Sequence, residues 1–358
     1  MTAQELQALI GSIPPLDSAA EQAARARLDR LTKPPGSLGV LEDIVAQLAA
    51  ITGRVQPALD WPAVLVAAAD HGVVAEGVSP YPQAVTAQMV RNFLRGGAAV
   101  NALAAAAGAR VIVVDAGVAA DLPDHPDLRR AAAARGTGNL RREPAMSRAA
   151  AAQAVLAGAA VLADEARDGL DLLALGEMGI GNSTAAACLT SALTGAPPEQ
   201  TTGRGTGLDD AGLRHKRAVV AEALARARPD PADPLGVLAE LGGLEIALLA
   251  GAALAAAARR IPVVLDGYIS TSAALVAVAL APRLRGFLIA GHRSAEPGHA
   301  IALEHLRLRP LLELDMRLGE GTGAALAIPI VRAAARVMRE MATFEDAGVA
   351  DRGDGVTG

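Results

Sequence analysis

Short hydrophobic runs rich in valine, leucine and isoleucine alternate along the middle of the chain with longer alanine-rich stretches. Five of these runs lead directly into small or polar residues, and they cover residues 64–69, 111–114, 170–175, 262–265 and 287–290. This alternation predicts an α/β protein with a Rossmann-like parallel sheet flanked by helices. Because ligands bind outside the carboxyl ends of such strands, we expect the five strand ends to converge on one site.

The two ends of the chain follow a different pattern from the middle. Residues 1–59 predict helices around a Pro-Pro-Gly turn, and residues 324–341 predict one long helix. We therefore expect residues 60–310 to form a large parallel α/β domain with the active site. Residues 1–59 together with 311–350 are expected to form a small helical domain that completes the site, and residues 351–358 predict a disordered tail.

Composition narrows the class of partner. With 358 residues, of which 52% are hydrophobic, the chain is long enough to bury a large core. Only 2% of the residues are aromatic, which disfavours a stacking platform for single-stranded nucleic acid. The net charge of -5 disfavours nucleic acid and anionic membranes in general, so a small molecule is the expected ligand.

Cysteine usage and hydropathy bear on the compartment. The single cysteine, Cys188, cannot form an intrachain disulfide, and no Cys/His set has the spacing of a zinc site. The N-terminus lacks the basic and apolar regions of a signal peptide, and the most apolar stretch, residues 246–258, is too short to span a bilayer. These features predict a soluble protein of the reducing cytoplasm.

One carboxylate, Glu320, stands between glycines immediately before the predicted C-terminal helix, in Leu318-Gly319-Glu320-Gly321-Thr322-Gly323. Glycines let the backbone approach a ligand closely, and the first N–H groups of a helix are open to an electron-rich ligand. Glu320 is therefore the candidate general base. The alternative is a carboxylate at a helix start that only complements the helix dipole.

Two glycine-rich stretches predict a phosphate site. Residues 176–184 follow a predicted strand and open a helix, where an anion meets unpaired N–H groups. Residues 203–207 precede Lys216, which together with Lys33 makes up all the lysines among 33 basic residues. A flexible ammonium suits a phosphate contact, although two chance lysines in an arginine-rich chain are the alternative. Neither stretch has the spacing of a dinucleotide or triphosphate motif.

Taken together, these motifs resemble the nicotinate-nucleotide–dimethylbenzimidazole phosphoribosyltransferases of cobalamin biosynthesis over nearly the whole chain. The landmarks are Lys33-Pro34-Pro35-Gly36-Ser37-Leu38-Gly39, Ala69-Asp70-His71-Gly72-Val73, Pro144-Ala145-Met146-Ser147-Arg148, residues 176–184, Val264-Leu265-Asp266-Gly267 and Arg317-Leu318-Gly319-Glu320-Gly321. The resemblance implies transfer of the 5-phosphoribosyl group of nicotinate mononucleotide to 5,6-dimethylbenzimidazole, giving α-ribazole 5′-phosphate and nicotinate. It also implies a homodimer without a metal or a bound cofactor.

The same resemblance assigns roles to individual residues. Glu320 matches the family's catalytic glutamate, and it would accept the benzimidazole N–H proton so that the other ring nitrogen attacks C1′ with inversion. Nicotinate leaves from a cationic pyridinium, so its departure needs no acid. The 5′-phosphate is expected against Gly179, Ile180, Gly181, Gly203, Gly205 and Lys216. Further substrate contacts are expected from Glu177 on the ribose or nicotinate side, from Leu318 on the base, and from Asn182, Tyr81, Met89 and Gly319.

The base pocket departs from the family pattern at two places. Where some members carry a serine and a glutamine, this chain has Ser79-Pro80-Tyr81-Pro82 and Met89. The preferred acceptor therefore stays open among benzimidazoles, purines and phenols.

Several other polar residues have two possible roles. Asp70, His71 and Asp266 follow predicted strands and either line the site or hydrogen-bond neighbouring loops, and for His71 the second role is favoured. His292 and Glu296 belong either to a site loop or to an exposed turn.

Asp209 and Asp210 are expected to cap the helix that bears Lys216. Lys33 either reaches the site of a dimer partner or is a solvated turn lysine.

Two other functions are weighed against the transferase. A non-catalytic nucleotide-binding or regulatory protein on the same fold is disfavoured by Glu320, and a dinucleotide-dependent oxidoreductase is disfavoured by the missing G-x-G-x-x-G motif.

Overall fold

The computed structural model describes residues 2–350, so the predicted tail at residues 351–358 lies outside the described residues. Within them, one sheet contains seven strands: β1 (Pro62–Ala69), β2 (Arg110–Gly117), β3 (Leu128–Arg130), β4 (Leu172–Met178), β5 (Val263–Leu265), β6 (Leu288–Arg293) and β7 (Pro310–Glu313). Their order is β3-β2-β1-β4-β5-β6-β7, and every neighbouring pair is parallel. The predicted α/β class with a parallel sheet is confirmed.

Helices cover both faces of this sheet. In the described part of the chain they are α1 (Thr2–Gly11), α2 (Ser18–Arg30), α3 (Val40–Thr52), α4 (Ala84–Leu94), α5 (Ala99–Ala106), α6 (Arg148–Glu165), α7 (Asn182–Thr194), α8 (Pro198–Thr201), α9 (Asp210–Ala227), α10 (Pro234–Leu241), α11 (Leu244–Ala258), α12 (Tyr268–Leu280), α13 (Pro297–Leu306), α14 (Thr322–Glu340) and α15 (Phe344–Ala347). Three short 3₁₀ segments complete them: Gly72–Glu76, Ala166–Asp168 and Pro282–Phe287.

Alternate residues of β1 enter two hydrophobic cores. Ala63 and Leu65 face a core shared with α6, α7, α11 and α12, whereas Val64 and Val66 face a core shared with α3, α5 and α14. The whole strand is buried, as expected for a central parallel strand that is covered on both faces.

Three strands continue beyond their predicted ends. β2, β4 and β6 include the small or polar residues that were expected to follow them, and in β4 these are Gly176 and Glu177. Gly176 pairs with Val66 of β1 and Glu177 pairs with Ala67. The hydrophobic pattern predicts neither β3 nor β7, because these edge strands are only three and four residues long and are partly exposed.

The two ends of the chain meet. Leu31 forms an antiparallel bridge with Thr343, and the N–H of Thr32 donates to the carbonyl of Ala342 at 3.1 Å. Helices α2, α3 and α14 share one core with a face of the sheet, and β7 extends the sheet beyond residue 310. The predicted boundary between the 60–310 domain and the helical domain falls within β7. The division into these two domains therefore stays a prediction.

The strand order reverses between β1 and β4. From β1 the chain moves outward to β2 and β3, and from β4 it moves outward on the other side to β7. In sheets of this kind ligands bind in the crevice at the reversal, outside the carboxyl ends of the strands. The loops that follow β1 and β4 flank this crevice.

One helical stretch among the described residues, Arg148–Asp168, is long and apolar enough by length and composition to cross a membrane. It comprises α6 and the turn after it, and it packs along α11, which is almost entirely buried. A core helix of a globular protein meets the same criteria, so this stretch is weak evidence of a membrane span.

Candidate functional site

A cavity of about 470 Å³ opens at the reversal of strand order, which is a size typical of small-molecule sites. The predicted residues that line it are Glu320, Glu177, Gly179, Ile180, Asn182, Gly205, Tyr81, Met89 and Leu318. Three further lining residues, Met178, Ser183 and Thr206, belong to the two predicted phosphate stretches, and Arg317 belongs to a family landmark. The sequence did not single out Val85 and Ile269, which also line the cavity. Glu296, whose role was open, lines it as well.

A larger depression of about 650 Å³ lies elsewhere, beside Arg148 and Asp233. Those two side chains form an ion pair with each other. In the cavity at the crevice, by contrast, Glu296 and Glu320 each have one buried carboxylate oxygen without a hydrogen-bond partner. Buried polar atoms in this state are typical of sites that a ligand completes, so the smaller cavity is the candidate site.

Four predicted substrate contacts lie behind the cavity wall. Gly181 precedes α7, Lys216 is buried on α9, and Gly203 and Gly319 lie against the carboxylates of Glu296 and Glu177. Lys216 still contacts the cavity wall, because its Nζ donates a hydrogen bond to Ser183 Oγ at 2.8 Å.

The end of β2 does not reach the cavity. Asp115 accepts hydrogen bonds from the N–H groups of Gly117 and Val118, at 3.1 and 2.9 Å, and faces a separate depression. The expectation that five strand ends converge is therefore wrong for this strand. The physical reason is the strand order, since β1 lies between β2 and the reversal point.

The predicted phosphate cradle is the turn between β4 and α7. The N–H of Ile180 donates to Thr86 Oγ1 at 3.1 Å, which fixes the turn against α4. No side chain in the described part of the chain caps α7. The positive end of the α7 dipole therefore faces the cavity beside Ser183, and this arrangement suits an anion.

Lys216 is the cation behind this cradle. Burial lowers the pKa of Lys216 to about 8, while Glu296 and Cys188 act in the opposite direction. An anion bound nearby would favour the charged ammonium. Asp209 caps α9 by accepting from the N–H of Gly212 at 2.7 Å, as predicted, whereas Asp210 pairs with Arg204 instead of capping.

Two of the three glutamates that line the cavity have raised pKa values. Burial, together with nearby Asp266 and Glu245, raises the pKa of Glu177 to about 8, while the amide of Asn182 donates to Glu177 Oε2 and acts in the opposite direction. Burial also raises the pKa of Glu320, with a contribution from Asp266, while the backbone amide of Val100 acts in the opposite direction. Both carboxyl groups therefore hold their protons to higher pH than an exposed glutamate does.

The backbone around Glu320 is held in an uncommon conformation. Glu320 has a φ of 64°, between Gly319 at 86° and Gly321 at 91°. A non-glycine residue in this region costs on the order of 1 kcal/mol or more and persists only when its surroundings enforce it. Strain of this kind is concentrated at functional sites, which favours a functional role for Glu320.

The first N–H groups of α14 are not open to a ligand, contrary to expectation. Asp266 accepts hydrogen bonds from Gly323 at 2.6 Å, from Ala324 at 3.0 Å and from Gly321 at 3.1 Å. An anion in the cavity would therefore meet the N-terminus of α7, because α14 is capped from within the protein. His292 lies beside this cap, with Nε2 3.5 Å from Asp266 Oδ1.

His292 and Glu296 are both buried, so the exposed-turn alternative is wrong for them. Glu296 Oε1 accepts from the N–H of Gly205 at 2.9 Å and thereby holds the second glycine-rich stretch at the cavity.

Asp70 and His71 make contacts within the protein. Asp70 Oδ2 accepts from the N–H of Ala119 at 2.8 Å, and His71 Nε2 lies 2.7 Å from Glu245 Oε1 in a fully buried pair. For His71 this is the kind of role that the sequence favoured. Lys33 is also buried, with Nζ 2.8 Å from Glu42 Oε1, so it is not a solvated turn lysine.

Apolar side chains form another part of the cavity wall. They are Val85 and Met89 from α4, Ile269 from α12, and the half-exposed Tyr81 and Leu318, at 51% and 58%. A flat apolar ring would remove these side chains from water. Sequence periodicity gave no signal for Val85 or Ile269, because α4 and α12 are far apart along the chain.

Among residues 2–350, no group of three or more histidine, cysteine, aspartate or glutamate side chains is arranged to hold a metal ion.

Comparison with known proteins gives a consistent family. Residues 13–349 match a phosphoribosyltransferase family model. The nicotinate-nucleotide–dimethylbenzimidazole phosphoribosyltransferase of Chloroflexus aurantiacus is 56% identical over 347 residues, which cover 97% of this chain and 99% of that protein. The enzyme of the same name from Desulforudis audaxviator is 58% identical over 344 residues, or 96% of this chain and 98% of that protein.

A solved structure agrees with the sequence matches. The crystal structure of CobT from Thermus thermophilus superposes with a TM-score of 0.90 at 55% identity, over 94% of this chain and 100% of that one.

Proposed function

The chain belongs to the nicotinate-nucleotide–dimethylbenzimidazole phosphoribosyltransferase family, and from this premise we propose that it transfers the 5-phosphoribosyl group of nicotinate mononucleotide to 5,6-dimethylbenzimidazole or a related base. The products are nicotinate and α-ribazole 5′-phosphate, which enters the nucleotide loop of cobalamin. One observation carries the assignment to this site: an anion cradle, a strained glutamate and an apolar wall line the same cavity.

The phosphate of the nucleotide lies at the N-terminus of α7, beside Ser183 and Gly205, and the Lys216 ammonium lies behind Ser183. Gly179, Ile180 and Gly181 supply the turn, and Gly203 is held behind it by Glu296. These contacts are remote from C1′, so they bind the substrate and the transition state about equally and mainly lower KM.

The acceptor ring lies against Tyr81, Val85, Met89, Ile269 and Leu318. These side chains offer area to an apolar benzimidazole, and the polar edges of a purine would be left with few partners. The dimethyl-substituted base is therefore the favoured acceptor.

Glu320 is the general base. Its carboxylate takes the proton from one ring nitrogen of the acceptor while the other nitrogen forms the bond to C1′ with inversion. The C1′–N bond to nicotinate breaks, and its electron pair neutralises the pyridinium ring. The raised pKa of Glu320 strengthens it as a proton acceptor near neutral pH.

Glu177 acts in its neutral form on the ribose or nicotinate side of the cavity. A protonated carboxyl donates one hydrogen bond without adding a second negative charge beside Glu320, and Asn182 fixes its orientation. Gly319 gives Glu177 the space that it occupies, because a Cβ there would overlap Glu177 Oε1.

We also infer a homodimer in the cytoplasm. The half-exposed Tyr81 and Leu318 at the cavity mouth support a surface that a second copy covers. The single buried cysteine, Cys188, is in keeping with a reducing compartment. A partner role for Lys33 would require its buried contact with Glu42 to break. Light scattering on the purified protein tests the dimer.

Incubation with nicotinate mononucleotide and a panel of benzimidazoles, purines and phenols tests the function. Mass spectrometry should detect α-ribazole 5′-phosphate with dimethylbenzimidazole and lower yields with purines. Binding of the nucleotide without any product from the whole panel would instead indicate a non-catalytic relative.

A further inference from the structure

A buried aspartate ties the loop of the catalytic base to the centre of the sheet. Asp266 follows β5, and its carboxylate accepts from the N–H groups of Gly321, Gly323 and Ala324 at 3.1, 2.6 and 3.0 Å. The first of these belongs to the residue directly after Glu320. The carboxylate therefore contacts both the loop that carries Glu320 and the first turn of the helix that follows it.

The aspartate is itself held firmly. It is 1% exposed, and its own N–H donates to Ser270 Oγ at 3.0 Å. Ser270 in turn donates to the carbonyl of Gly267 at 3.1 Å, which closes the turn between β5 and α12. The Asp266 side chain thus projects from a rigid junction, and it transmits that rigidity to the loop.

The loop needs such a restraint. Three consecutive residues, Gly319, Glu320 and Gly321, have positive φ, and Glu320 is a non-glycine residue in the left-handed region. A carboxylate that accepts three N–H groups at a helix N-terminus is a strong, charge-assisted anchor. Without it, the glycines on both sides would let Glu320 relax to a commoner conformation.

We propose that Asp266 is a positioning residue for catalysis, which fixes the carboxylate of Glu320 at the acceptor without touching substrate itself. Asp266 is absent from the residues that line the cavity. The proposal rests on the proposed role of Glu320 as the base. The negative charge of Asp266 also acts on Glu320, because it contributes to the raised pKa of Glu320.

Other charged groups surround this pair. His292 on β6 lies 3.5 Å from Asp266, Glu177 on β4 shares the cavity with Glu320, and Arg317 lies on the same loop as Glu320. A neutral residue at 266 removes one negative charge from this set, and it should also lower the pKa of Glu177, which Asp266 helps to raise. The pKa of Glu320 should then fall, so that the ionised base persists to lower pH.

Asp266→Asn is the test variant. Its amide oxygen can still accept from the helix, but its NH₂ group faces the N–H of Gly321 and cannot accept from it. We expect kcat to fall roughly 10- to 100-fold, as for a misplaced catalytic group, with KM for nicotinate mononucleotide nearly unchanged. The acid limb of the kcat–pH profile should move to lower pH, which simple destabilisation would not produce.

Asp115→Asn is the matched control. Asp115 is a buried aspartate at the end of β2 that accepts from two backbone N–H groups, but it lies outside the cavity. The Asp115→Asn variant should have a lower thermal midpoint, with kcat and the kcat–pH profile of the wild type. Equal losses of kcat in both variants, or a wild-type kcat in Asp266→Asn, would overturn the proposal.

Glu320→Gln, measured in parallel, distinguishes failure of the positioning role of Asp266 from failure of Glu320 as the base. If it is inactive while Asp266→Asn is normal, only the positioning role fails. Normal turnover in Glu320→Gln removes both the base and its positioning residue. If Asp266→Asn does not fold, hydrogen exchange on the wild-type protein decides: the amides of Gly321, Gly323 and Ala324 should be protected, and fast exchange there overturns the anchor.

Discussion

Gly176 of β4 lies directly beneath the peptide of Glu320, so close that a Cβ at position 176 would stand 2.7 Å from the carbonyl carbon of Glu320. Gly321 completes the contact from above, since its own Cβ would come within 3.2 Å of the Gly176 Cα. Two backbones far apart in sequence therefore touch without side chains between them. Strand β4 thus limits how closely the Glu320 loop can approach the sheet. Asp266 holds the C-terminal end of the same loop through the N–H of Gly321.

Gly176→Ala should impair turnover more than binding. The added methyl group must push the Glu320 loop away from β4, and a displacement near 1 Å at a catalytic group costs on the order of 100-fold in rate. We expect kcat to fall roughly 10- to 100-fold, while KM for nicotinate mononucleotide changes little. Steady-state kinetics with dimethylbenzimidazole measure both constants.

Gly158→Ala provides the control for this substitution. Gly158 of α6 is at least as tightly packed, with a Cβ position 2.7 Å from the carbonyl carbon of Leu248, but it lies in the core between α6 and α11. It should lower the thermal midpoint and leave kcat of the folded protein unchanged. A similar loss of kcat in both variants would show that the effect of Gly176→Ala is general.

Glu320→Gln should remove the base while keeping its shape. The amide cannot accept the acceptor's proton, so kcat should fall by roughly 10²- to 10⁴-fold, with little change in substrate affinity. If Glu320 only complements the helix dipole, the same change costs a few tenths to about 1 kcal/mol of stability and leaves turnover intact. Measuring kcat and thermal midpoint on one preparation separates the outcomes, and near-normal turnover would end the assignment.

Glu177→Gln should retain activity at neutral pH, because the amide resembles the protonated carboxyl. In the wild type, kcat should fall as the pH rises through about 8, where Glu177 loses its proton, and the variant should lack this fall. A loss above roughly 100-fold at neutral pH would show that Glu177 works as a carboxylate.

Stability gives a second measurement on the same variant. The folded pKa of Glu177 is raised from 4.5 to about 8, so its contribution to stability is present below the unfolded value and is lost as the pH rises through the folded one. The thermal midpoint of Glu177→Gln should therefore rise relative to that of the wild type as the pH increases from 4.5 to about 8. A constant difference across this window would mean that Glu177 is ionised throughout.

Lys216→Met should raise KM for nicotinate mononucleotide far more than it lowers kcat, since a phosphate remote from C1′ contributes uniform binding. Lys33→Met is the matched control, because it removes the other lysine from a buried contact with Glu42 outside the cavity. It should change stability and not KM. An unchanged KM in Lys216→Met would remove that residue from the site, and a raised KM in Lys33→Met would point to a partner's site.

Activity should survive chelation. The leaving group departs from a cationic ring and the proton goes to Glu320, so the proposed chemistry requires no Lewis acid. Turnover measured after dialysis against EDTA should match that of the untreated enzyme. Loss of turnover that a divalent ion restores would contradict this mechanism.

Much of the site was accessible from local sequence alone. The glycines around Glu320 and the turn after β4 signal their chemistry within a few residues, because backbone freedom and helix dipoles are local properties. The rarity of lysine is a property of the whole composition. The same holds for the alternation of hydrophobic runs, which predicted the parallel sheet.

Contacts between distant segments were not accessible in this way. The sequence could not say that Asp266 caps α14, that Asp115 faces away from the cavity, or that Val85 and Ile269 share one wall with Tyr81. Nor did it distinguish a buried Lys33 from a solvated one.

Local residue chemistry thus determined the fold class, the candidate base and the phosphate-binding turn. Strand order and packing decided which strand ends meet, which helix N-terminus is free for an anion, and which carboxyl groups are buried close enough to shift one another's pKa. The physical reason is that propensity and hydrophobic period act over a few residues, whereas burial and electrostatic coupling depend on neighbours that only the folded chain brings together.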